Sequence, residues 1–374
     1  MFEETGSMPA IIEYIYDLMS ETEDLADSSF PGIDTAHAST TAGAQRIASL
    51  IVKVQQRLAV AGIKDADEAG RIYGKAITVI DRFGGRKALN LPADDIAGEA
   101  LVIAGKYGPA DAMEALLSGK LPVSLRNELM GTIQRIDWAK LADDIGEAGI
   151  DALSSKTGPF AYLGQSKGNA KAAKMMLEQI ELAQKSGNKI LALEQRVVIK
   201  SFSGAKIASS GQGLVRFTDL VMKMTQNGKT FFVELKAWDE VIEFTTKSGQ
   251  KVTIGAPRWF EQLLNSKSSQ VYKDVILYSL KQEDLGLEAF QGVKWLINAK
   301  GAVAIRKAVN AKYGTTFAAG EEVQALTFRL LKGVKENKAW LADHLGRADD
   351  WDDFMVDLIA SLNRRGDEFF QIVE

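Results

Sequence analysis

Apolar residues recur every three to four positions through the first half of the chain, and every two positions in short stretches of the second half. Ile11, Ile12, Tyr14, Ile15 and Leu18 mark one helical stripe over residues 9–20; Ile47, Leu50, Ile51, Val54 and Leu58 mark another over 42–60. Between them, residues 21–40 are polar, with Pro31, Gly32 and several Ser and Thr, and read as a loop. Shorter helical units follow over 74–83, 97–107 and 110–117. Phe83-Gly84 and Tyr107-Gly108 close two of them with an aromatic residue and a capping glycine. Residues 154–169 are rich in Ser, Gly and Lys and read as a linker. Within it, residues 164–168 match G-x-S-x-G, but a nucleophile elbow needs a buried strand before it and a histidine partner, and the pattern offers neither. Residues 170–199 read as one or two helices broken near Ser186-Gly187-Asn188, with Glu194 beside an apolar stripe.

The period changes at residues 215–236. Two β-prone arms, 215–224 and 229–236, flank Asn227-Gly228, a pair that tolerates positive φ and predicts a two-residue hairpin turn. Side chains two apart on a strand share a face, so Glu234 and Lys236 point one way and Leu235 the other. Folding about the turn brings Asp219 opposite the Glu234 region. Two carboxylates and a lysine on one face of a largely apolar hairpin are costly unless something compensates them. A divalent cation held by Asp219 and Glu234 would do so, and hard oxygen ligands suit Mg²⁺ or Mn²⁺, with Zn²⁺ a further option. Lys236 would then orient or deprotonate the attacking water, or stabilise negative charge at phosphorus. Further on, the pattern predicts a second hairpin (241–246 and 251–254), a helix over 259–280, a strand over 293–297 and a helix over 302–313. Helices over 340–345 and 351–362 follow. Asp349, Asp350, Asp352 and Asp353 around Trp351 read as the acidic start of the last of these.

Composition narrows the chemistry. The chain has 374 residues, no cysteine, and only His37 and His344 as histidines. That excludes a disulfide scaffold, thiolate zinc sites and cysteine nucleophiles, and argues against histidine-paired nuclease mechanisms. No apolar run reaches membrane-spanning length, and the N-terminus lacks a basic-then-apolar signal. The net charge of −4 hides an asymmetry: residues 189–332 hold about 21 Lys and Arg against about 13 Asp and Glu, roughly +8, beside acidic flanks. A basic module of this kind suits a polyanion ligand.

Asp219, followed after a hairpin-length gap by Glu234-Leu235-Lys236, resembles the signature of the PD-(D/E)xK, or restriction-endonuclease-like, nuclease superfamily. Thr218 stands where the signature has proline. Arg216, three residues before Asp219, resembles the subgroup found as C-terminal toxin domains of bacterial polymorphic toxins, and residues 66–153 resemble the helical spacer that precedes some of them. The resemblance implies an α/β nuclease domain, with a mixed central sheet flanked by helices, over 170–335. An all-α helical domain over 1–153 would precede it, and a helical C-terminal extension over 336–374 would follow. It implies catalytic roles for Asp219, Glu234 and Lys236, with Glu194 supplied by a leading helix and Gln270 by a following one. The metal ligands would be Asp219, Glu234 and the backbone carbonyl of Leu235, and Arg216, Lys206 and Lys273 would meet phosphate. It favours DNA over RNA. It further implies an exported bacterial toxin acting in the target-cell cytoplasm, with a cognate immunity protein. A housekeeping repair or restriction nuclease, and an inactive nucleic-acid-binding protein of the same fold, are the rival expectations.

Overall fold

The computed structural model describes residues 34–339 apart from 157, 200, 203–204, 207–213, 240, 246–250, 266–270, 273 and 275–289, together with Asp352, Val356 and residues 369–374. Only the backbone is described for 34–41, 198–199, 201–202, 205–206, 214–216, 241–245, 251–253 and 290–291. The expected helices over 9–20, 340–345 and 351–362 therefore lie outside the described residues, as does most of the acidic cluster around Trp351. Of that cluster, Asp352 is described and pairs with Lys338 at 2.9 Å. The chain divides into two compact units, Met1–Arg135 and Ile136–Glu374.

In the first unit every described element is helical. α1 (Asp34–Val60), α2 (Ala66–Phe83), a 3₁₀ turn (Gly85–Asn90), α3 (Asp94–Tyr107), α4 (Ala110–Leu117) and α5 (Val123–Arg135) follow in order. α2 starts where Asp65 accepts the Glu68 N–H, and it buries Ile72, Ala76, Val79 and Ile80. Gly84 and Gly108 are the C-cap residues of α2 and α3, as the aromatic-glycine pairs predicted. α1 begins inside the stretch expected to be a loop. Residues 34–41 hold neither glycine nor proline, so nothing there breaks the helix. Arg126, almost fully buried, donates to the carbonyls of Asn90, Leu117 and Ser118 and satisfies chain ends that would otherwise be stranded.

The second unit opens with α6 (Trp138–Ser154), α7 (Pro159–Leu163) and α8 (Lys167–Lys185). The stretch 154–169 is thus largely helical rather than an open linker. Pro159 fits the first turn of α7, and Ser166 is the N-cap of α8, its Oγ accepting the Asn169 N–H at 3.1 Å. That cap accounts for the serine in the G-x-S-x-G match. The strands are β1 (Lys189–Ile199), β2 (Ser201–Phe202), β3 (Ala205–Lys206), β4 (Leu214–Lys223), β5 (Thr230–Lys236), β6 (Val241–Thr245), β7 (Lys251–Gly255), β8 (Phe290–Asn298) and β9 (Phe370–Val373). Three helices complete the unit: α9 (Ala256–Asn265), α10 (Ala299–Tyr313) and α11 (Glu322–Glu336).

Five strands form one mixed sheet in the order β1-β4-β5-β8-β9. β1, β4 and β5 are antiparallel, and β5, β8 and β9 are parallel. One face of this sheet buries Phe232, Val293, Trp295 and Ile297 against Phe260 of α9, Ile305 of α10 and Leu326 and Leu330 of α11. On the other face, α8 covers Phe231 and Val233, leaving a cavity of about 230 Å³. An α/β unit with helices on both faces of a mixed sheet is the coarse fold that the pattern predicts. Three local expectations change. Residues 189–199 are a strand, because the run ending in Val197, Val198 and Ile199 pairs with β4 along its length. The C-terminal extension ends in β9, whose Phe370 pairs with Trp295. The turn after β4 is wider than two residues: Met224 N–H bonds Lys229 O, and Gly228 alone takes positive φ, at 67°.

Candidate functional site

The site forms where β4 parts from β5. Their ladder runs from Lys223↔Thr230 to Leu220↔Val233 and stops there. Beyond that point side chains take over from backbone. The Thr218 hydroxyl donates to the carbonyls of Val233 and Leu220 at 3.2 Å each, and Asp219 Oδ2 accepts the Leu235 N–H at 2.6 Å. The N–H and C=O of one strand residue point to the same edge, so the Leu235 carbonyl also turns toward the gap that β4 leaves.

The register puts Asp219 and Glu234 side by side, one step past the last ladder pair. Glu234 is fully buried, and Lys236 Nζ pairs with its Oε2 at 2.9 Å. Trp295 walls this pair: it is the β8 partner of Glu234, and Lys236 Nζ stands 4.8 Å from its ring centre. Trp295 is itself fixed by its indole N–H donating to buried Asp274 at 2.9 Å and by stacking on Phe369.

Glu194 belongs to the same row, though not from a helix. Leu193 faces Leu220 and Gln195 faces Thr218, so Glu194 stands across from Asp219 on β1. Its φ of 47° is left-handed, a conformation that a glutamate adopts only at a cost. Three carboxylates thus cross three neighbouring strands at one level. Burial, reinforced by the charge of Glu234, pushes the Asp219 carboxyl up to about 7; Lys236 and the Leu235 N–H oppose the rise, and Glu194 adds to it. Tyr162 on α7 feels all three. Burial first, then the charges of Glu194, Asp219 and Glu234, raise its phenol to about 12.

Of the residues expected at the site, Asp219, Glu234, Leu235 and Lys236 come together as predicted, and Glu194 joins them from a strand. Lys206 lies on β3 and Arg216 on β4, with their side chains outside the described atoms. Gln270 and Lys273 lie outside the described residues. Sequence reasoning missed Tyr162, Thr218 and Trp295. Thr218 and Trp295 carried a signal, one as the neighbour of Asp219 and the other as an aromatic within an apolar strand run. Tyr162 sits in a Pro-Phe-Ala-Tyr-Leu turn with nothing to separate it from core.

Comparison with protein-family profiles, with curated proteins and with solved structures gives no match. Among the described residues no helix is long and apolar enough to cross a membrane.

The donor set can be tested for a hard cation. Asp219, Glu234 and the Leu235 carbonyl offer oxygen ligands from one side, and the Asp219 carboxyl is raised first by burial and then by the charge of Glu234, both of which a cation would offset. Among the described residues no group of three or more His, Asp or Glu side chains is gathered to hold a metal. The fit is to a cation bound by two carboxylates and a carbonyl, with the rest of its shell left to water and substrate.

Proposed function

We propose that the second unit hydrolyses phosphodiester bonds in a divalent-metal-dependent reaction, with DNA as the favoured substrate, as in the restriction-endonuclease-like nucleases that it resembles. The observation that carries this reading is the convergence of Asp219, Glu234 and Lys236 at the point where β4 leaves β5. Bound there, a divalent cation would supply the charge that makes water acidic and offsets the negative oxygens of the phosphate. The protein's own groups do the rest. Asp219 is held by the Leu235 N–H, and Glu234 is oriented by Lys236. The Lys236 ammonium, partly exposed, is the group within reach of a non-bridging phosphate oxygen or of the attacking water.

Purified protein incubated with plasmid DNA and with RNA, in Mg²⁺, in Mn²⁺ and in EDTA, tests the proposal. Cleavage that needs metal and disappears in Asp219→Asn and Glu234→Gln supports it. Cleavage that persists in EDTA or in both variants removes it. The same proposal makes the chain the toxic part of a bacterial competition protein, exported to act in the target-cell cytoplasm and held in check by an immunity protein with an acidic contact surface. Its support is the helical region followed by a basic module. Expression of the wild type, but not of Glu234→Gln, should arrest bacterial growth. Equal growth with both would leave a housekeeping nuclease.

A further inference from the structure

β1 and β4 stay paired long after β4 has left β5. Their ladder continues through Gln195↔Thr218 and Arg196↔Phe217 to Ile199↔Leu214. The two strands run past the carboxylates as a two-stranded ribbon, one wall of the gap at the site. Arg196 and Phe217 are direct cross-strand partners on that ribbon, so their side chains leave the same face. Phe217 also lies two residues from Asp219, on the face of β4 that carries the carboxylate and roughly 7 Å along the strand.

Phe217 is 51 % exposed, and Arg196 is exposed beside it. The exposure is not that of a frayed strand, since Thr218 and Val197, their chain neighbours, are buried. Among the described residues Arg196 makes no ion pair. A solvated aromatic face next to a solvated guanidinium, both on a paired two-stranded ribbon, is a surface with two complementary binding modes. Phenylalanine stacks on any unpaired base, and a guanidinium pairs with phosphate through parallel N–H donors. A base inside a duplex is already stacked on its neighbours and gains little from the ring, so the surface fits an unpaired strand.

We propose that Arg196 and Phe217 form a docking platform for single-stranded nucleic acid, with a base lying on Phe217 and the adjoining phosphate on Arg196. The next phosphodiester along the strand is then delivered to Asp219, Glu234 and Lys236. That last clause rests on the nuclease reading; the platform does not.

The test is binding by the full chain in EDTA, where hydrolysis does not interfere. Fluorescence anisotropy reads a labelled oligonucleotide of about 12 nucleotides, single-stranded or annealed as a blunt duplex, across a salt series. The expected result is tighter binding of the single strand. Phe217→Ala should weaken it about tenfold or more, and Phe217→Trp should restore it. Arg196→Ala should lower the slope of log K against log salt by roughly 0.7, and Arg196→Lys should keep the slope. The platform is overturned if wild type binds neither form, if duplex binds more tightly, or if Phe217→Ala and Arg196→Ala both bind single strands as wild type does. The two readings fail separately. Phe217-dependent binding by a protein that cleaves nothing in Mg²⁺ or Mn²⁺ leaves the platform and removes the nuclease. Metal-dependent cleavage with binding indifferent to both variants does the reverse.

Discussion

Asp219 holds its carboxyl among buried apolar groups, beside a second carboxylate and against a single backbone donor. Its folded-state pKa of about 7 lies above the ordinary value of 3.8. The folded protein therefore binds more protons than the unfolded chain between those two values, and the contribution to stability present below about pH 4 is lost as pH rises through 7. In metal-free protein the melting temperature should fall from pH 5 to pH 8, and the fall should flatten in Asp219→Asn. Excess Mg²⁺ should flatten it too if the carboxylate is a ligand. Thermal melts at several pH values with and without EDTA check both; a slope unchanged in Asp219→Asn would contradict the first. Lys236 offers a separate comparison. Lys236→Met leaves Glu234 as a buried charge without its ammonium, and should destabilise the fold by about 3 kcal/mol or more. Glu234→Gln removes that charge, so it should cost less stability while abolishing cleavage; denaturant titration of the two variants measures the difference. Spacing alone made Asp219, Glu234 and Lys236 legible in the sequence, because strand period and hairpin pairing are local rules. Tyr162 was not, because its proximity to the three carboxylates depends on how α7 folds back onto the unit.

At the level of elements, the two strands that leave their expected state are the ones that bear on the site. Residues 189–199 combine Ile, Leu, Ala and Glu with a terminal Val-Val-Ile, a pattern that fits either period until a partner strand is known. Pairing with β4 decides it, and the decision carries Glu194 from a helix face into the row beside Asp219. The strand accepts this at a price in conformation, φ 47° at a glutamate. Glu194→Gly should stabilise the protein by about 0.5–1 kcal/mol, since glycine tolerates that backbone and removes a charge that raises Asp219. The same change should reduce cleavage. Glu194→Ala, which removes the charge but keeps the backbone conflict, should reduce cleavage without the gain in stability. Equal melting of the two variants would show that the backbone at 194 carries no strain. Just after β5, Trp238 lies against Gly301 in the first turn of α10, where a Cβ would come within 2.5 Å of the Trp238 carbonyl. The loop that follows Lys236 is seated directly on that helix.

For the whole molecule, the chain's last residues complete the sheet that carries the site. β9 is too short to announce itself in sequence: four residues, Phe370–Val373, preceded by one aromatic, give no usable period. Its role comes from packing. Phe369 stacks on Trp295 and Phe370 meets it edge-on, with ring centres 6.4 and 6.3 Å apart, and both rings are buried. Trp295 in turn supports the Lys236–Glu234 pair, so side chains at the end of the chain hold up an ion pair more than 130 positions earlier in sequence. Phe369→Ala or Phe370→Ala should each cost about 3–5 kcal/mol in the second unit. Removing residues 369–374 should unfold that unit and abolish cleavage. The first unit has its own buried core along α1 to α5, and it should keep its helical signal in the truncated protein. Limited proteolysis of the truncated chain, read by mass spectrometry, separates the outcomes. A protected fragment ending near Arg135, with rapid cleavage beyond it, is expected. Protection of residues 189–298 after loss of β9 would show that the sheet stands without its edge, and that Trp295 is held by Asp274 alone.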